Sequence, residues 1–327
     1  MRGIRVAING FGRIGRAIFK KALEEGINIV AINDLSDTKT LAYLLKYDSA
    51  YGVYEKSIEA GEGFIKIGTK KIIVCADRNP ENLPWEKMKI DIVIESTGAF
   101  TDREGASKHL KAGAKKVLIS ASGKDVDFTV VLGVNEKGLR KNQKIISMAS
   151  CTTNCIAPII KILEDNFGIK KGFLTTIHAY TGDQALVDGH HKNLRRGRAA
   201  AINLIPTTSG AAKAVADVIP SVKGKIDGMA VRAPVICGSI TDFVATLNKK
   251  VTVEELNNAI KKAARKLDGI LKYTEEDIVS SDIIGNSNSS IFDSKLTKVN
   301  GNLVKVLAWY DNEYGYSCRM VDLLKRL

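Results

Sequence analysis

No apolar run in this sequence approaches the roughly 18 residues that a membrane-spanning helix needs; stretches such as Ile92-Val93-Ile94 are only a few residues long. A chain that crosses a bilayer is therefore not expected. Cysteine is scarce: Cys75, Cys151, Cys155, Cys237 and Cys318 are an odd number and widely scattered, which excludes a disulfide framework and fits a reducing compartment. There is no CxxC or HxxxH pair, and the adjacent His190-His191 cannot by itself close a tetrahedral site, so no metal is expected. With only six prolines, no low-complexity tract and no internal repeat, disorder, collagen-like and coiled-coil architectures drop out. The start, Met1 running directly into Ile4-Arg5-Val6-Ala7-Ile8, lacks the charged, apolar and small-residue order of a secretory signal. The expectation is a cytoplasmic protein.

What is present is an ordinary globular composition, 45% hydrophobic and 26% charged. Its 327 residues, at about 150 per domain, suggest two domains. The formal charge of +13, from 49 Lys and Arg against 36 Asp and Glu, favours anionic partners. The lysines are spread without a long block, however, so the surface reads as solvated and basic with local anion pockets.

The first 100 residues alternate β-branched runs with helical stretches, which implies βαβ crossovers and a parallel sheet. Arg5 to Asn9 reads as a strand and Arg13 to Glu25 as a helix, with Ile14, Ile18 and Ala22 on one face and Gly26 as a left-handed stop. Val30 to Asn33, Ile72 to Val74, Ile92 to Ile94, Val117 to Ile119 and Val130 to Leu132 extend the sheet. The expected fold class is α/β: a dinucleotide-binding domain over 1–150, then a second, α+β domain over 151–314. Longer strand-like stretches there (Phe173 to Ile177, Gly228 to Arg232, Ile240 to Leu247, Leu303 to Trp309) alternate with helices such as Val253 to Leu267, N-capped by Thr252. His178 to Gly210 is a long, polar, arginine-rich stretch, a feature usually functional or interfacial.

Gly10-Phe11-Gly12-Arg13-Ile14-Gly15 follows a strand and opens a helix, the context that gives a GxGxxG match its meaning. Gly10 permits the tight turn, Gly12 the approach of a pyrophosphate, and Gly15 close packing of helix on strand. Helix N-terminal N–H groups would hold the phosphates. Asp34, 24 residues past Gly10, is placed to accept hydrogen bonds from an adenine ribose and would repel a 2′-phosphate, favouring NAD over NADP. Ser150-Cys151-Thr152-Thr153-Asn154-Cys155 reads as a helix N-terminus, where the dipole favours a thiolate at Cys151. Cys155, one turn on, lies at about 5–6 Å between Cβ atoms against the ~3.5–4.5 Å of a disulfide, and is taken as structural. His178 ends an apolar strand; paired with Cys151 it would serve as a base. Thr181, Arg196, Ser209, Gly210 and Arg232 suit phosphate oxygens. Taken singly, each has an ordinary alternative: the cysteine as a small buried hydrophobe, the histidine as polar surface.

Together, NGFGRIG (Asn9 to Gly15), ASCTTNC (Ala149 to Cys155), HAYTGDQ (His178 to Gln184) and WYDNEYGYS (Trp309 to Ser317) resemble the phosphorylating glyceraldehyde-3-phosphate dehydrogenases over the whole chain. The resemblance implies attack of Cys151 on an aldehyde, His178 as base, hydride transfer to NAD, and cleavage of the thioester by inorganic phosphate to give an acyl phosphate. It implies phosphate contacts from Ser150, Thr152, Thr181, Arg196, Ser209, Gly210 and Arg232, and cofactor contacts from Arg13, Ile14, Asp34, Arg78, Ser120 and Asn312. It further implies a homotetramer, with the loop from about Ala179 to Ala201 at a subunit interface, and a final helix (315–327) packed back on the first domain.

Two positions depart from the family pattern. Ser209 stands where threonine is usual, keeping the hydroxyl and losing a methyl. Gly189-His190 replaces the Leu-Pro pair that often accompanies strict NAD preference, leaving room for NADP. Among rivals, an erythrose-4-phosphate dehydrogenase would share the chemistry of Cys151 and His178, but Thr181-Gly182-Asp183 and Ser209-Gly210-Ala211-Ala212 resemble the glycolytic type more. Aspartate-semialdehyde dehydrogenases do not call for the SCTTNC run. A nucleic-acid or surface-binding role on the same fold has little support, since no aromatic-interleaved basic patch is present.

Overall fold

A computed structural model describes residues 3–327; Met1 and Arg2, the first positions of the expected dinucleotide domain, lie outside the described residues. By internal packing the described residues divide into two units: 3–130, Lys137–Ala149 and Met320–Leu327 form one, Val131–Glu136 and Ser150–Arg319 the other.

In the first unit the elements run Arg5–Asn9 (β1), Arg13–Glu24 (α1), Asn28–Asn33 (β2), Thr38–Lys46 (α2), Tyr47–Asp48 (β3), Gly52–Val53 (β4), Ile58–Gly61 (β5), Phe64–Ile67 (β6), Lys70–Cys75 (β7), Ile92–Glu95 (β8), Arg103–Lys111 (α3), Lys116–Ile119 (β9), Phe128–Thr129 (β10) and Ile145–Ser147 (β11). The sheet order is β10-β11-β9-β8-β1-β2-β7-β6-β5. From β10 to β7 all neighbours are parallel, and β5 and β6 add an antiparallel edge. The central strands are buried nearly throughout, as a sheet covered on both faces requires. The sequence-expected β1 is met residue for residue. Helix α1 buries Ile18, Phe19 and Ala22 and ends at Gly26, whose φ of +71° lets Ile27 N–H reach the Ala22 carbonyl at 2.8 Å.

One expected strand is not formed. Val130 donates its N–H to Ser147, but Val131 donates to the Asn135 side chain and Val134 turns back onto the Val131 carbonyl. Val130 to Leu132 is fully buried without being a strand, because a short apolar run signals burial and not its conformation. The sheet there is built instead by β11, only three residues long and preceded by the polar run Lys141 to Lys144.

In the second unit come Cys151–Phe167 (α4), Ile169–Ala179 (β12), Ile205–Thr208 (β13), Ala211–Val218 (α5), Ile226–Ala233 (β14), Ser239–Leu247 (β15), Val253–Ala264 (α6), Leu271–Thr274 (β16), Ser290–Asn300 (β17) and Leu303–Tyr310 (β18). The last helix, Tyr314–Leu324 (α7), is divided between the units after Arg319. The sheet runs β13-β14-β12-β15-β18-β17-β16, with α4 lying against β12, β15, β17 and β18. Alternate residues of β15 and β18 are buried, the period-2 pattern of a sheet with one covered face. Helix α6 opens on a full capping box, Thr252 with Glu255, and stops at Ala264, short of the expected Leu267. Tighter turns onto Ala263 and Ala264 take over there.

Candidate active site

In the first unit the strand order builds a cleft. Because β2 lies on one side of β1 and β8 on the other, their carboxyl ends form a topological switch point, where open α/β sheets hold ligands. A cavity of about 380 Å³ sits there, walled by Asn9, Gly10, Gly12, Asn33, Asp34, Asp77, Arg78, Thr97 and neighbours. Gly10 has φ +90°. A side chain at Gly15 would place Cβ 2.1 Å from the Gly10 carbonyl oxygen, whereas one at Gly12 would meet nothing within 4 Å. Close backbone approach is thus reserved for whatever enters the cleft, and the first turn of α1 carries no side-chain cap, as suits a helix start that receives an anion. Asp34 accepts from Phe11 N–H at 2.8 Å and from Ser36 N–H at 3.0 Å, which holds its carboxylate at the rim. These features fit a dinucleotide. Of the other expected cofactor residues, Arg78 lines the cavity, while Arg13 is turned to Asp48 at 3.2 Å, Ile14 lies in the first turn of α1 and Ser120 donates to the Glu95 carbonyl.

In the second unit a cysteine–histidine pair is built by parity and register. Positions 172, 174, 176 and 178 of β12 point to the covered face, and α4, opening at Cys151, lies across that face. Ser150 caps the helix by accepting from Thr153 N–H at 3.1 Å. Cys151 Sγ and His178 Nε2 are 3.4 Å apart. His178 Nδ1 lies 2.7 Å from the Ala179 carbonyl, which can only accept. Arg232, paired with His178 across the parallel β12–β14 register, brings Nη1 within 3.1 Å of the same nitrogen. Both Nη1 hydrogens have other acceptors, the Ala179 carbonyl at 3.0 Å and Thr181 Oγ1 at 2.9 Å. The ring proton therefore sits on Nδ1, and the Nε2 lone pair faces the thiol. Burial, then the Arg232 charge, lowers the His178 pKa to about 4, so the imidazole is a neutral base near pH 7.

The thiolate expected from the helix dipole meets an opposing influence: burial raises the Cys151 pKa above the ordinary thiol range, with Arg232 pulling it back. These two shifts favour thiol and neutral imidazole over the ion pair, and the thiolate forms when His178 accepts the proton. Cys155 is a free, buried cysteine in contact with the hydroxyls of Thr241 and Ser290 at 3.7 Å. Burial pushes its thiol up to about 12.

Around the pair, Arg196 donates to Asp183 at 2.8 Å and to Thr207 Oγ1 at 2.9 Å, and Thr181 hydrogen-bonds Asp183. Burial works to raise the Asp183 pKa, but the Thr181 bond and the charges of Arg232 and Arg196 outweigh it and hold the carboxyl below its usual range. Ser209 and Gly210 stand at the start of α5, Ser209 Oγ accepting from Ala211 N–H. Gly189 and His190 are exposed. Asn312 accepts from Ser239 Oγ at 2.9 Å, and Ser239 also holds Ala179 N–H at 3.0 Å.

Residue-type reasoning missed Tyr310. Its hydroxyl lies 2.8 Å from both Thr152 and Thr176, and its ring meets His178 edge-on at 5.9 Å. Tyr310 lies inside the WYDNEYGYS run, which was the one available signal.

A Rossmann-type NAD domain joined to this second domain defines an NAD-dependent oxidoreductase. The family model described as glyceraldehyde 3-phosphate dehydrogenase, NAD binding domain, matches residues 4–103, and that for the C-terminal domain matches residues 150–312. Glyceraldehyde-3-phosphate dehydrogenase of Borreliella burgdorferi is 54% identical over 99% of both chains. Those of Streptomyces coelicolor and Geobacillus stearothermophilus are 57% and 55% identical over 98% of this chain and 97% of theirs. The chain belongs to the glyceraldehyde-3-phosphate dehydrogenase family.

Proposed function

We propose that this protein oxidises D-glyceraldehyde 3-phosphate with NAD and inorganic phosphate, giving 1,3-bisphosphoglycerate, through covalent attachment to Cys151. The observation that carries the chemistry is the 3.4 Å approach of Cys151 Sγ to an imidazole whose Nε2 bears a lone pair. His178 takes the thiol proton, Sγ attacks the aldehyde carbon, and the resulting oxyanion takes that proton from His178 to become a thiohemiacetal, leaving the ring neutral again. Bound NAD supplies the acceptor for the hydride that leaves this carbon. His178 removes the hydroxyl proton as the thioester forms, and phosphate oxygen then displaces Sγ, releasing the acyl phosphate and returning the thiol. Near neutral pH the base is ready without prior deprotonation, because burial and Arg232 keep it neutral.

Thr181, Arg196 and Arg232 bind phosphate in this scheme, with Ser150, Thr152, Ser209 and Gly210 as further anion contacts. Gly10, Gly12, Arg13, Ile14, Gly15, Asp34, Arg78, Ser120 and Asn312 hold the cofactor. Residues 1–150 serve as the NAD-binding domain, with 315–327 packing back on it, and 151–314 as the catalytic domain. Asp34 favours NAD; the small Gly189 and exposed His190 make NADP the second cofactor to test. Assembly as a homotetramer is supported by apolar side chains that a monomer leaves open to water, Leu194 at 87% and Ile202 at 80% exposure and, on the uncovered face of β12, Phe173 at 69%. A cytoplasmic setting is supported by five free cysteines; among the described residues no helix is long and apolar enough to cross a membrane.

The test follows nicotinamide absorbance with glyceraldehyde 3-phosphate, phosphate and NAD, with NADP and erythrose 4-phosphate in parallel. Phosphate-dependent NAD reduction is expected, falling by at least about a thousandfold in Cys151→Ser while NAD binding is retained. Equal turnover by wild type and variant would end the covalent reading.

A further inference from the structure

Beneath the cleft of the first unit lies a buried polar cluster that the reaction above does not use. Glu95 ends β8 and His109 lies on α3; both side chains are wholly shielded from water. Trp85 Nε1 donates to His109 Nδ1 at 3.0 Å. An indole nitrogen only donates, so the imidazole proton sits on Nε2, which donates to Glu95 Oε2 at 3.0 Å. The same oxygen accepts from Asn9 Nδ2 at 2.6 Å. Oε1 accepts from Thr97 N–H at 2.8 Å and from the Thr97 hydroxyl.

Four donors thus converge on one carboxylate, and two of the donor residues, Asn9 and Thr97, line the 380 Å³ cavity. The chain of bonds continues. Asn9 Oδ1 accepts from Asn33 Nδ2 at 2.7 Å, and Asn33 holds the Asp77 backbone by both its carbonyl and its N–H at 2.9 and 3.0 Å. Asn33 and Asp77 also line the cavity, as does Phe100, which meets the His109 ring edge-on at 6.4 Å. One buried group therefore ties together the ends of β8, β1 and β2, three adjacent strands at the switch point. A buried carboxylate is costly unless its hydrogen bonds are complete, and here every bond that completes it comes from the cleft wall or from the ring that orients it.

We propose that Glu95, oriented by His109 and Trp85, is a positioning residue that holds the wall of the cofactor cleft in its binding-ready form before the dinucleotide arrives. Binding then orders fewer groups and is correspondingly tighter. This rests on the reading of the cleft as the NAD site.

The experiment compares NAD affinity by calorimetry, steady-state constants and thermal unfolding in wild type and Glu95→Gln. The amide presents N–H where an acceptor is required, so at least one bond to Asn9, His109 or Thr97 is lost. The expected result is an NAD Kd and KM raised about tenfold or more, with KM for glyceraldehyde 3-phosphate and for phosphate within about twofold. A lower Tm with unchanged NAD Kd, measured where both proteins are folded, overturns the proposal. Should Glu95→Gln not fold, two variants decide instead. Thr97→Val, which keeps the Thr97 N–H bond to Glu95 and loses the hydroxyl's bonds to Glu95 and from Ala99 N–H, is expected to weaken NAD several-fold, and His109→Gln, which can still donate to Glu95 and accept from Trp85, to stay near wild type. Unchanged Kd in Thr97→Val overturns the proposal. Wild type that binds no NAD overturns the reading of the cleft itself, an outcome visible before any variant is compared.

Discussion

His178 in the second unit and His109 in the first are both buried, yet their rings are wired in opposite senses. At His178 the Nδ1 proton goes to a backbone carbonyl, and a lone pair is left facing a thiol. At His109 an indole N–H occupies Nδ1, and the proton faces a carboxylate. One ring is set to take a proton and the other to hold one in place. The second partner of an imidazole, rather than its burial, therefore decides between chemistry and architecture.

That contrast breaks first at His178. Replacement by Asn is expected to lower kcat/KM for glyceraldehyde 3-phosphate by about 10²–10⁴ and to slow alkylation of Cys151 by iodoacetamide at pH 7. Activity within tenfold of wild type would deny it the role of base.

A pH series sharpens the comparison. The folded-state pKa of His178, about 4, lies below its ordinary 6.5, so between these values the unfolded chain binds more protons. Its contribution to stability is complete above pH 6.5 and is lost as the pH falls toward 4, roughly 3 kcal/mol in all. Urea unfolding of wild type and His178→Asn from pH 7 to 4.5 should show the wild type losing more stability. Parallel losses would mean that the imidazole is not held neutral.

The smallest effect belongs to the architectural histidine. Trp85→Phe removes the donor to His109 Nδ1 and is expected to cost about 1–3 kcal/mol in urea unfolding, with kcat at saturating NAD unchanged. A fall in kcat comparable to that of His178→Asn would erase the distinction between the two rings.

The parts legible in the sequence are those whose physics is local. Arg5 to Asn9 could be read as a strand and Gly26 as a helix stop because periodicity and glycine conformation act within a few residues. The glycine loop, and Cys151 at the opening of a helix, are equally local. Val130 to Leu132 was misread for the complementary reason: apolar side chains report burial, and a buried turn hides them as well as a strand does. The antiparallel β5–β6 edge left no such mark.

Tertiary structure alone decided the rest. Arg232 stands beside His178 because β12 and β14 pair in one register, 54 residues apart; a shift of one residue would turn that guanidinium to the other face. Tyr310 reaches Thr176 and Thr152 only because the sheet and α4 pack together, and Glu95, His109 and Trp85 meet only through side chains that converge from β8, α3 and the segment before β8. The sequence by itself determined the residue types, the local elements and, through its motifs, the family. Which nitrogen of each imidazole carries the proton was decided by partners distant in the chain, because a tautomer depends on the donors and acceptors that folding brings to the ring.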